Sequence, residues 1–353
     1  MEIARVVVIA AAIAVGIVVY RRVMGPSERT SSRDAEALGF LPVSRQNTLL
    51  AGPAPELERA LAAVARGSWE QAARLMAATR ESRDWERRSD YASAFGAAAA
   101  EGDGAWLRTW TEAAGPYDPD LALVRADATV SLAWRLRGGA YAKHTSQEQF
   151  AGFHRTLAQA PGEIERAADL NPDDPTPYIA GIWVALGLGH SHEEMRDLWA
   201  ELTARSPHHF DAHYAALQYW CAKWRGSAEL AESFARGAAA TAPPGSLLTA
   251  LPLIAWFEHR DDGAKAADYR SPQVMAMVDA ALTDLATAPP GHPSAAEVRH
   301  LLAYFLTRQG RYEAALEQFR LVDGYVDALP WTYYNDRAAA YCRWRAKAVK
   351  GAR

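Results

Sequence analysis

The residues best suited to chemistry lie in one stretch, "HHFDAHYAALQYWCAKW", from His208 to Trp224. His209 and His213 are four apart, so on a helix their imidazoles project from one face, and that spacing can ligate zinc. The chemistry would be that of a metal-dependent hydrolase, provided further ligands come from elsewhere. Half of the chain's ten histidines fall between residues 190 and 213, with His190, His192 and Glu193 in "GHSHEE". A helix over 193–205 would be about 20 Å long, which holds His190 and His192 at the end away from His208 and His209. The histidines therefore read as polar residues at helix ends, and no metal or other cofactor is expected. His209 and His213 remain the candidates if a metal is bound.

The same stretch carries Phe210, Tyr214, Leu217, Cys221 and Trp224 at alternating spacings of four and three, an apolar helical stripe with Cys221 in the core. No other catalytic pattern is complete. The chain lacks G-x-S-x-G, H-E-x-x-H and G-x-x-x-x-G-K-[ST]. "HRDD" at His259 to Asp262 stands without the asparagine and glycine loop of a kinase, and reads as a solvated loop. Asp173/Asp174 and Glu193/Glu194 suit helix starts, where carboxylates face the positive end of the dipole. A non-enzymatic protein is the expectation.

The elements that would position these residues are helices. Half of the 353 residues are hydrophobic, alanine is abundant, and Asn47, Asn171 and Asn335 are the only asparagines. Long alternating Val/Ile/Thr runs are missing, so helix outweighs strand. Twelve Trp and fourteen Tyr imply much aromatic packing between helices. A net charge of −4 with no basic cluster on the body speaks against a nucleic-acid partner. Cys221 and Cys342 form no CxxC pair and fit two buried thiols in a reducing compartment.

At the amino terminus, Val6 to Tyr20 is an unbroken apolar run, extended to residues 3–24 if Arg5, Arg21 and Arg22 snorkel outward. No small-x-small cleavage site follows, so residues 1–24 read as a single-pass transmembrane anchor. Arg21, Arg22, Arg29 and Arg33 against Arg5 place the body on the cytoplasmic side of the cell membrane. Residues 25–55 read as a flexible linker.

From residue 56 on, short amphipathic helices alternate with Gly and Pro turns. "GSWEQAARLM" and "GRYEAALEQF" both place a glycine at a turn, an alanine five residues later and a bulky residue four beyond. The glycine permits a tight turn, the alanine lets two antiparallel helices approach, and the bulky residue fills the groove. The bulky positions recur at Met76, Trp110, Ile164, Leu198, Phe234, Leu282 and Phe319, at 34 to 37 residues apart from two longer intervals.

This pattern resembles the tetratricopeptide repeat, and "NPDDPTPY" is similar to an uncharacterised bacterial membrane-anchored family with such repeats. The resemblance implies an all-α solenoid of antiparallel helix pairs over 56–353, ending in a capping helix. It also implies a protein or peptide partner held in a concave groove lined by first helices. Trp183, Tyr214, Tyr219 and Asn335 are the candidate partner-binding residues. The function expected is that of a membrane-tethered scaffold for protein–protein interaction.

Overall fold

The computed structural model describes residues 34–138 and 145–353, which divide into two compact units. One unit spans residues 54–234 and the other joins 34–53 to 235–353. Both are all-α. Among the described residues, the sole isolated β-bridge pairs Asn47 with Tyr325.

The first unit contains α1 (Pro55–Val64), α2 (Glu70–Ser82), α3 (Trp85–Glu101), α4 (Ala105–Ala114), α5 (Pro119–Arg137), α6 (Gln147–Leu157), α7 (Ala160–Leu170), α8 (Thr176–Leu188), α9 (His192–Arg205) and α10 (Phe210–Trp220). The helix starts follow capping rules. Asp118 accepts from the N–H groups of Asp120 and Leu121 with Pro119 in the first turn. Ser146 with Gln149, and Ser191 with Glu194, form reciprocal capping boxes.

Helices α3, α5, α8 and α10 form the inside. α3 packs on α5, α5 on α8, α8 on α10, and α10 returns to α3. α8, "TPYIAGIWVALGL", is apolar on every face, the pattern of a helix buried all round. The return of α10 is fixed by hydrogen bonds: Phe210 N–H donates to Glu86 Oε1 at 2.7 Å, and His209 Nε2 lies 3.1 Å from the Trp85 carbonyl. α3 and α5 approach closely because residue 96 is glycine; a Cβ there would sit 2.7 Å from the Asp127 backbone.

In the second unit α12 (Leu251–Arg260), α13 (Ala266–Tyr269), α14 (Pro272–Thr287), α16 (Tyr312–Val322) and α17 (Arg337–Gly351) surround α15 (Ala295–Gln309). α11 (Ala228–Thr241) contains the division between the units. Residues 34–53, expected within a flexible linker, are packed into this second unit, with Phe40, Leu50 and Ala51 buried. Asp323 accepts from Leu41 N–H at 2.7 Å and pairs with Arg345 at 2.5 Å. His300, wholly buried, donates from Nε2 to the Ala51 carbonyl and accepts at Nδ1 from the Trp331 indole. Those partners fix the neutral tautomer, and burial pushes the His300 pKa down to about 4.

Three expectations are corrected. The anchor over residues 1–24 and Arg21, Arg22, Arg29 and Arg33 lie outside the described residues, and among the described residues no helix is long and apolar enough to cross a membrane. The membrane-tethered, single-pass architecture with a cytoplasmic body is therefore given up. The open solenoid is corrected next, because α10 packs back on α3 and the inner faces of the first unit bury one another. The regular repeat also lapses in mid-chain. Gly67 and Gly310 do turn the chain at φ +89° and +82°, and Ala72, Met76, Ala315 and Phe319 are fully buried. Ile164, Leu198, Phe234 and Leu282 are only half-buried, while Ala167, Met195, Leu202 and Ala281 hold the core positions on the same or neighbouring turns.

Candidate functional site

The histidine stretch folds as a core helix end. His209 caps α10, its Nδ1 accepting from Ala212 N–H, and lies 3.3 Å from Glu86 Oε2. His213 Nδ1 donates to the His209 carbonyl at 2.8 Å, and its ring stands edge-on to Trp199 with centroids 4.8 Å apart. Burial pushes the His213 pKa down to about 4, so the ring is neutral at physiological pH. His192 bonds the Arg225 carbonyl and packs on Trp220, at the other end of α10 as the helix length required. Among the described residues, no group of three or more His, Cys, Asp or Glu side chains is arranged to hold a metal ion. The metal-dependent hydrolase built on His209 and His213 is set aside on that finding.

The residues expected to bind a partner are placed mostly inside. Trp183 is 1 % exposed and Tyr219 is fully buried, donating its hydroxyl to the His190 carbonyl at 2.7 Å. Tyr214 is buried on the inner side of α10, and Cys221, its stripe companion, is buried and outside any disulfide, like Cys342. Asn335 is exposed just before α17, in the second unit. Trp183, Tyr214 and Tyr219 belong to the first unit and Asn335 to the second.

Between α3, α5 and α8 lies a buried charge network that sequence spacing did not predict. Arg88, fully buried, pairs through Nε with Asp174 at 2.5 Å and through Nη1 with Asp120 at 2.8 Å. Arg80 reaches the same Asp120 from the rim. Asp127, buried nearby, has no hydrogen-bond partner at Oδ2. Desolvation, with Asp211 and Asp174 adding like charge, pushes its pKa up to about 8 against the pull of Arg88. The charges are satisfied mainly by one another, as a buried network must be.

The open feature of the first unit lies on the outer face of α5. α4 and α7 flank this helix, and Leu121, Arg125, Ala128, Thr129, Leu132 and Leu136 share one face at helical spacing; Leu121 is buried, Arg125, Ala128 and Thr129 are half-buried, and Leu132 and Leu136 are exposed. A concavity of 520 Å³ lies between Thr111 of α4 and Gly162 of α7, and a second of 310 Å³ continues toward Leu132. Both are lined by Arg125 and Glu163, an ion pair at 2.8 Å that lies one helical turn from Leu121. The lining residues of α5 run from Leu121 to Leu132, about 17 Å of helix.

Large side chains are exposed at and just beyond the ends of this groove. Leu132, 38 % exposed, lines one end, with Leu136, 41 % exposed, a turn beyond it; at the other end Tyr117, 80 % exposed, stands between the lining residues Pro116 and Asp118. These positions were missed because α5 mixes apolar and charged residues around its circumference without one apolar stripe, and periodicity cannot say which face neighbours cover. The nearest signal was the pair Leu132 and Leu136 beside Arg135 and Arg137 in "LAWRLR".

The chain matches no family model, no curated protein and no solved structure. The resemblance to the tetratricopeptide repeat is corrected accordingly. The glycine and alanine spacing describes how two helix pairs turn and pack, and carries no family membership or membrane anchoring with it.

Proposed function

We propose that this chain is a non-catalytic protein-binding module whose first unit receives a short amphipathic helix of a partner along α5. The observation that carries the reading is the groove along α5 beside α4 and α7, with exposed Leu132 at one end and exposed Leu136 a turn beyond, Tyr117 near the other end and the Arg125–Glu163 pair between. Exposed large apolar side chains that gather along a groove are the usual mark of a protein-binding face. A helix of about three turns fits the length, with apolar anchors near its ends and a polar residue over the ion pair.

The buried groups favour the same reading. His209, His213 and Arg88 each bond to neighbouring protein groups, so their polar atoms serve packing. Helical peptides selected for binding to the full chain are expected to lose at least about tenfold in affinity on Leu132→Asp, which sets a charge in the apolar end of the groove. Undiminished binding by that variant, with its fold intact by circular dichroism, contradicts the assignment of the groove.

A further inference from the structure

The ion pair that lines the groove leaves donors and an acceptor unmet. Arg125 Nη2 donates to Glu163 Oε1 at 2.8 Å, and among the described residues neither side chain makes another hydrogen bond. The remaining guanidinium N–H groups and Glu163 Oε2 are open to water, the two side chains being 43 % and 25 % exposed. The groove leaves room over the pair. Gly162, next to Glu163 on α7, has nothing within 4 Å of the place of a Cβ, and α5 presents Ala122 and Ala128 one turn to either side of Arg125.

A helix docked in the groove takes that water away. Each stripped donor or acceptor then needs a partner, because a buried polar group without one costs more than a typical hydrogen bond returns. An apolar residue over the pair leaves Arg125 and Glu163 both unmet. A carboxylate meets Arg125 and repels Glu163, an ammonium does the reverse, and either brings an uncompensated charge into the interface. A side-chain amide carries an acceptor and an NH2 donor without net charge, so it meets both at once.

We propose that the partner helix places glutamine or asparagine over Arg125 and Glu163, a pairing that rests on the groove being the helix site. The amide carbonyl accepts from the guanidinium, and its NH2 donates to Glu163 Oε2. Leu132 lies two helical turns from Arg125, about 10 Å along α5, so an apolar anchor of the partner falls about two turns from its amide.

Helical peptides selected from a fully randomised library on the full chain test the pairing, with affinities read by fluorescence anisotropy. Glutamine or asparagine is expected to recur at one position, with a large apolar residue about two turns away. Replacing that amide by leucine or by glutamate is expected to weaken binding about tenfold or more. In the chain, Arg125→Leu is expected to weaken it as much. The charge-swapped Arg125→Glu/Glu163→Arg variant is expected to bind within about threefold of the unsubstituted protein, because an amide can present donor and acceptor in either order. If Leu132→Asp weakens binding but the leucine peptide binds undiminished, or the swapped chain loses as much as Arg125→Leu, the groove stands and the amide pairing is overturned. Selected peptides that bind Leu132→Asp as well as the unsubstituted chain overturn the groove and this inference with it.

Discussion

The Asp127 carboxyl sits inside the first unit with one oxygen unpartnered and Asp174 and Asp211 near enough to raise its pKa. Its value of about 8 means that the folded chain keeps Asp127 protonated at neutral pH, while the unfolded chain releases the proton near pH 4. The folded state then binds more protons than the unfolded one between those values, so this group removes stability as pH rises from about 4 to about 8. Asp127→Asn keeps the neutral shape and abolishes the linkage. Its melting temperature relative to the unsubstituted protein is expected to rise steadily over that window and level off above it. A difference that does not change with pH contradicts the protonated state. Little of this was visible in sequence, because "RADATV" spells a polar position on a helix and says nothing of the acids that α8 and α10 bring beside it. Cys221 was legible at this scale as a core member of the stripe from Phe210, whereas Tyr214 of the same stripe, expected to meet a partner, is buried.

At the scale of elements, the distance between α3 and α5 rests on Gly96. A Cβ there meets backbone and Cβ atoms of Asp127 at 2.7 Å, and neither helix can yield without moving the Arg88 network. Gly96→Ala is therefore expected to cost about 1–3 kcal/mol in chemical denaturation, the usual range for an overfilled core. Gly162 on α7 faces open groove, with nothing within 4 Å of an added Cβ, and Gly162→Ala should add up to about 1 kcal/mol through helix propensity. Equal effects at the two glycines would contradict the close packing of α3 on α5. The turn glycines Gly67 and Gly310 were readable because a tight helix turn needs positive φ and the following alanine needs to be small. The lapse of the repeat at Ile164 and Leu198 was not. A half-buried and a fully buried aliphatic residue look alike in sequence, and the extra helix α6 shifts the frame between Trp110 and Ile164.

Over the whole molecule, composition and helical spacing carried the all-α architecture, because alanine-rich amphipathic segments broken by Gly and Pro leave few other ways to bury a core. They did not carry the closure of α10 onto α3, which depends on single long-range bonds such as Phe210 N–H to Glu86. That closure turns Trp183 and Tyr219 inward and leaves the outer face of α5 as the open surface of the first unit. Amide hydrogen exchange across the full chain, with and without a saturating helical peptide selected for binding, tests this placement most directly. Added protection is expected in α5 from Leu121 to Leu136 and in the flanking segments of α4 and α7, with the inner helices α8 and α10 unchanged. Protection that falls instead on α8 and α10, around Trp183 and Tyr214, or that spares α5, contradicts the account.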